Sequence, residues 1–143
     1  MSVTTPVNTP ERSGQFLENL PVEASTILFA GSLAAANAGG NLVPASDTAN
    51  LKVLGRVEAG SLESVFDNSQ GAAGDKTATV KRGVFVLSNS VANPVTKSLI
   101  GNPVYVEDAA TVASEGSHSV VAGIFLGFAD GDTTQVIVDT TRA

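Results

Sequence analysis

The sequence predicts an all-β domain, a small β-barrel or β-sandwich with an extended N-terminal arm, and three observations predict it. In the last third, Val- and Phe-rich runs such as Val104–Glu107, Val120–Phe128 and Gln135–Asp139 are cut at short intervals by Gly, Asn and Asp. β-branched and aromatic residues suit a pleated, half-buried surface, whereas Gly, Asn and Asp supply the turns between strands. The same alternation of short apolar runs with turn clusters recurs from Val22 onward, which is the signature of several short strands in one domain. Finally, 143 residues are enough for one domain and one core of modest size: 43% are apolar, 5% aromatic and none is Trp. Small residues dominate, so stability is expected to be supplemented by association.

Residues 1–21 read as the arm, because Pro6 and Pro10 disfavour helix and cannot donate to a central sheet. Phe16, Leu17 and Leu20 close the arm and need burial, either on the chain's own surface or on a neighbour's. Residues 22–143 form the single β domain. Its first strand is expected over Val22–Phe29, with a turn at Gly31. Leu33–Ala36 is compatible with a short strand or one helical turn, since Ala favours helix and so few residues carry no decisive period. Leu42-Val43-Pro44 begins the next piece, and Leu51–Glu58 is a strand in which Gly55 marks a bulge or a close backbone approach. Residues 67–76 contain no large apolar side chain and read as an exposed loop. Thr77–Leu87 is the longest expected strand, broken at Gly83, with Val80, Val84 and Val86 on one face and Phe85 and Leu87 on the other. Val95–Ile100 is a short strand or helical turn. Val53–Glu58 and Phe125–Asp130 share an apolar-Leu-Gly-x-apolar-acid pattern, and Val65-Phe66-Asp67 matches Ile137-Val138-Asp139 at the same offset, which suggests two equivalent strand–turn–strand units.

The charge balance excludes several functions. Fourteen acidic residues against eight basic ones give a net charge of −6, which opposes nucleic-acid binding, because that draws on clustered Lys and Arg. Lys76, Lys81 and Arg82 are the one local basic cluster and read as a solvated hairpin edge. Cys is absent, excluding disulfides and thiolate metal sites. The first residues lack the basic and apolar regions of a secretory leader. The most apolar window, Val22–Ala38, is interrupted by Glu23, Ser25, Thr26, Gly31, Ser32 and Asn37, so no membrane span is expected.

Catalytic chemistry finds little purchase. His118 is the single histidine and lies in the polar turn Glu115–Ser119, where Ser117 and Ser119 are sequence neighbours without a nucleophile elbow. Asp130-Gly131-Asp132 lacks the further oxygens of an EF-hand loop and reads as a hairpin turn. Glu107-Asp108 reads as a strand-end charge pair. Gly39-Gly40 and Gly71–Gly74 lack the spacing of a phosphate or dinucleotide loop. The sequence therefore predicts no enzyme, no cofactor and no metal.

Three segments carry a resemblance: Val80–Leu87 with its Gly83-Val84-Phe85, Gly101–Asp108 with its Gly-x-x-Val-Tyr running into acidic residues, and Ala122–Val138 with its Ile-x-Leu-Gly and Gly-Asp-Thr. In these the chain resembles the small capsid-decoration, or cement, proteins of tailed bacteriophages, over about its last two-thirds. The resemblance implies a β-barrel or sandwich, made in the host bacterial cytoplasm, that binds the outside of an assembled shell of major capsid protein. It also implies a homo-oligomer, with a trimer preferred over a dimer. The expected capsid-binding residues are Phe16, Leu17 and Leu20 of the arm, with no nucleic acid and no membrane as partner. The competing expectation is a small carbohydrate-binding module, which the scarcity of Trp and Tyr disfavours.

Overall fold

The structure, a computed structural model, describes residues 4–8 and 14–143. Residues 1–3 and 9–13 of the expected arm lie outside the described residues. The chain is all-β. Its strands are β1 (Phe16–Pro21), β2 (Thr26–Phe29), β3 (Leu33–Ala36), β4 (Leu42–Pro44), β5 (Lys52–Val57), β6 (Val65–Asn68), β7 (Thr77–Lys81), β8 (Val84–Asn89), β9 (Pro103–Asp108), β10 (Thr111–Ala113), β11 (Val121–Phe128) and β12 (Gln135–Asp139). Short 3-10 turns occupy Lys97–Leu99 and Thr140–Arg142.

The chain builds the same topology twice. The first half forms a five-stranded sheet in the order β1-β7-β5-β3-β4, and the second forms a closed barrel in the order β8-β12-β11-β9-β10. In the second half, β10 and β8 pair in parallel to close the ring, and Ser90 N–H donates to Val112 O at 2.8 Å. In the first half a parallel bridge, Val22 to Leu42, joins the same two outer strands, and Glu23 N–H donates to Leu42 O at 2.9 Å. The first sheet thus rolls up in the same sense as the second. The strands β2 and β6 are additions found in the first half alone, and they pair with each other as a two-stranded ribbon.

Each half turns on one glycine. On β5 an extra residue opposite β3 makes a bulge at Leu54-Gly55, and on β11 an extra residue opposite β9 makes one at Ala122-Gly123. Gly55 has φ +148° and Gly123 φ +157°. A Cβ on Gly55 would overlap the carbonyl oxygen of Lys81 and lie 2.9 Å from its carbon; one on Gly123 would overlap the carbonyl oxygen of Asp139 and lie 2.8 Å from its carbon. Only Gly lets the backbone pass so close at that φ. The bulge expected at Gly55 is therefore present, but its counterpart is Gly123. Gly127, matched to Gly55 in the sequence, faces open space. Likewise Val65–Asp67 lies in the β2–β6 ribbon, whereas Ile137–Asp139 lies in β12, whose counterpart is β7. Several short strands of similar composition satisfy one residue pattern at more than one offset, and backbone pairing decides between them.

Two cores fill the halves. Val22, Leu28, Ala34, Leu42, Val57, Phe66, Ala78 and Val80 form the first. The second centres on Leu87, Val104, Val112, Phe125, Val136 and Val138 and also receives Leu33, Ala35 and Val53 from the first sheet. Strand β3 is consequently buried on both faces: Leu33, Ala34 and Ala35 are all fully buried. Small side chains fit a strand pressed between two cores, which resolves the ambiguous Ala-rich segment as strand.

Several boundaries differ from expectation. The arm ends before Phe16, because Phe16–Pro21 pair with β7 and a bulge at Glu18-Asn19 places Leu17 and Leu20 against the first core. The strand expected over Val22–Phe29 is reduced to β2, since the chain turns at Ala24-Ser25 with Ser25 at φ +55°. Asn68, expected in an exposed loop, is buried and its amide donates to the carbonyls of Val22, Glu23 and Ala72 at 3.0–3.2 Å. The break at Gly83 is the crossing from one half to the other, so Val80 faces the first core while Val84 and Val86 face solvent. Ala substitution at Gly55 or Gly123 is expected to destabilise by about 1–3 kcal/mol or more through backbone overlap, whereas Gly39→Ala, with no contact under 3.5 Å, stays within about 0.5 kcal/mol. Urea unfolding of the three variants checks this.

Candidate functional site

The single histidine belongs to a clasp between the halves. Asp47 lies in the loop joining β4 to β5, and His118 in the loop joining β10 to β11. The Asp47 carboxylate accepts the backbone N–H of His118 at Oδ1 and of Ser117 at Oδ2, both at 2.8 Å. His118 Nδ1 lies 2.9 Å from the Asp47 carbonyl oxygen and 3.3 Å from Oδ1. The two backbone N–H groups, that of His118 first and of Ser117 second, hold the Asp47 carboxyl below its usual range, against the smaller opposing effect of desolvation. The imidazole therefore faces Asp47, its backbone carbonyl and its carboxylate, and the serines beside it act through their backbone. A shallow cleft of about 330 Å³ beside the clasp is lined by Asp47, Asn93, Glu107, Glu115 and Ser117.

The other charged groups noted in the sequence are separated by their partners. Glu107 Oε1 accepts from Ser90 Oγ at 2.6 Å, while Asp108 Oδ1 caps the backbone N–H of Ala110 at 2.8 Å. Asp132 Oδ1 takes the hydroxyl and the backbone N–H of Thr134, and these, the hydroxyl first, hold its carboxyl below the usual range against a smaller opposing desolvation and make residues 129–134 a turn. Lys76 pairs with Glu63 at 2.7 Å, Lys81 Nζ sits 5.5 Å from the Phe16 ring centroid, and Arg82 donates to Thr141 O at 3.4 Å. These three cations have three different neighbours, and they flank or lie on β7, which pairs with β1 on one side and β5 on the other and is not the hairpin edge expected. Among the described residues no group of three or more His, Asp or Glu is placed to hold a metal ion, and no helix is long and apolar enough to cross a membrane.

Surfaces remain. Of the three expected capsid-binding residues, Leu17 and Leu20 pack on the first core, and Phe16 alone is exposed, at 41%. Two apolar surfaces are not apparent from the sequence. On the ribbon, Phe29 and Val65 are cross-strand partners exposed at 57% and 41%, with fully exposed Leu62 three residues before Val65. On the second barrel, Val84 and Val86 of β8 are exposed at 54% and 53%, and Val86 pairs with half-buried Ile137. The available signal was the run of consecutive apolar residues Val84-Phe85-Val86-Leu87, and similarly Ile27-Leu28-Phe29. In a strand, neighbouring residues point to opposite faces, so such a run makes both faces apolar.

No family model matches this chain, and neither the curated proteins nor the solved structures contain a significant match to it.

The clasp leads to a pH dependence. Asp47 has a depressed carboxyl in the folded state, so its contribution to stability is present above the ordinary Asp value of about 3.9 and is lost as pH falls through the lower folded value. Asp47→Asn is expected to lower the melting temperature at pH 7 and to narrow the difference from wild type below about pH 4. Melting curves between pH 2 and 7 on both proteins check it, with equal differences at all pH values counting against the clasp.

Proposed function

We propose that this chain is a structural virion protein that binds the outer surface of an assembled tailed-phage capsid and stabilises it as a cement protein. The observation that carries this reading is the β2–β6 ribbon, which is added to a barrel that the second half builds without it. Its inner face, Leu28 and Phe66, completes the first core. Its outer face presents Phe29 and Val65, with Leu62 in the adjoining loop, to solvent. A fully exposed side chain such as Leu62 gains about 1.5–3 kcal/mol when buried by a partner, and half-exposed Phe29 and Val65 about half as much, so an added ribbon that is apolar on both faces suits docking. The net charge of −6 adds attraction to basic patches on a shell, and this part weakens with salt.

Cementing follows from state selection. A ligand that binds only the assembled lattice shifts the balance toward that lattice by its differential affinity, and many copies act on one shell. The resemblance in the three segments noted above points the same way. Phe16 lies on β1 at the edge of the first half and extends the candidate surface beyond the ribbon.

Replacing Phe29 and Val65 together with Ser is expected to weaken binding to expanded shells of the major capsid protein by about tenfold or more in all, with the folded state retained. Co-sedimentation with empty shells measures this. Wild-type binding by the folded double variant would remove the ribbon as the docking element. Glycan-array binding by the isolated chain would favour the carbohydrate-binding module instead.

A further inference from the structure

The two halves provide an internal comparison at their outer faces. Matched through the shared strand order and register, Val86, Ile137 and Leu126 of the second half occupy the places of Glu18, Thr79 and Glu58 in the first. The first half shows that this topology forms with polar and charged side chains at these positions. Apolar side chains at Val86, Ile137 and Leu126 are therefore not required by the fold, whereas Val84 takes the place of Phe16 and is exposed and apolar in both halves. Val84 and Val86 expose more than half their surface, Leu126 is exposed at 45%, and Ile137 pairs with Gly127, whose missing side chain leaves open space above it. The result is an apolar patch of Val84, Val86, Ile137 and Leu126 that runs across β8, β12 and β11 and extends about 7 Å in the strand direction, at about 3.3 Å per residue, with polar Gln135 and Asp139 on either side of Ile137 on β12.

The patch has opposite charges at its two ends. Beyond Val84 and its partner Asp139 lie Arg82 and Arg142, in segments joined by the Arg82 to Thr141 O hydrogen bond. The Asp139 carboxylate also lies at this end, taking the backbone N–H and hydroxyl of Thr141 at 3.1 and 2.6 Å just as Asp132 takes those of Thr134 at the other, so the two arginines outnumber it by one charge. Beyond Phe128, at the other end, the exposed turn carries Asp130 and Asp132. A two-fold axis through the middle of the patch exchanges its ends, so the basic end of one copy meets the acidic end of the next. Self-complementarity of this kind is what an isologous contact requires. The overall charge of −6 opposes self-association, but beyond a Debye length of about 8 Å at physiological salt it is largely screened, whereas contacts at the ends act at short range.

We propose that a second copy of this chain docks on the patch as an antiparallel two-fold pair, apolar face to apolar face, with Arg82 and Arg142 of each copy beside Asp130 and Asp132 of the other. The pair replaces the trimer that the resemblance implies. It does not depend on shell binding, which is assigned above to the ribbon of the first half.

The test is the mass of the full chain in solution, by analytical ultracentrifugation from about 1 to 100 µM at low and high salt. The expected result is a two-chain species that weakens as salt rises, and its loss in Val86→Lys with the circular dichroism spectrum retained. Asp130→Lys and Arg142→Glu are each expected to weaken self-pairing by about tenfold and to regain it when mixed one to one, since the reversed ends then face each other with opposite charge. A monomer throughout the concentration range, a three-chain species, or folded charge variants that fail to pair on mixing would each overturn the proposal. Because no shell is present in these measurements, their outcome is separate from that of the ribbon variant.

Discussion

The close passage of backbone over backbone at Gly55 and Gly123 is the constraint on which the rest of the structure depends. At each site a bulged strand carries a glycine at φ near +150° directly over a carbonyl of its neighbour, Lys81 in one half and Asp139 in the other. A bulge increases local twist and bends the strand that holds it. Here that bend lets a five-stranded sheet curl until its outer strands meet in parallel, through Thr111-Val112 and Ser88-Asn89 in the second half and through Leu42 and Val22 in the first. Any side chain at either glycine would push the two strands apart at the point where the ring must tighten.

Curling alone would give two small barrels, each with little to bury. Strand β3 unites them, because its two faces serve different cores: Ala34 points into the first, and Leu33 and Ala35 into the second. Both faces of a strand can be pressed this closely only if its side chains are small, which accounts for the Ala-rich segment and for part of the low aromatic content. Additional ties cross the same boundary. Thr140 is buried and exchanges hydrogen bonds with Gly83 at 2.7 and 3.0 Å, Arg56 of β5 lies 4.3 Å from the Phe85 ring centroid, and Asp47 holds the Ser117-His118 backbone. Asp47, His118 and Arg56 thus have their partners across the boundary between the two halves.

With shared internal topology, the halves differ in what they show to solvent. The first carries the added ribbon, apolar on both sides, and polar residues at the places where the second carries Val86, Ile137 and Leu126. Two halves with one strand order need not present the same outer face. On the readings proposed above, one face serves a shell and the other a sister chain without either altering the packing within.

Much of this was legible in the sequence by itself. Alternation, β-branched residues and turn chemistry are local properties, and they determined the all-β class, the strands β5, β9, β11 and β12 within a residue or two, and the special status of Gly55. They also showed that His118 and Asp130–Asp132 belong to turns. Pairing is not local. Which strands meet, whether Gly55 corresponds to Gly123 or Gly127, and that Phe16–Pro21 is a strand of the first sheet depend on hydrogen bonds between segments far apart in the chain. The outward apolar faces were hidden for the same reason: Val80 and Val84 share a parity in the sequence, yet the chain crosses from one half to the other at Gly83, so one is buried in a core and the other faces water. A side chain's alternation along its own strand is written in the sequence, but which side of that strand is covered is decided only when the neighbouring strands are in place.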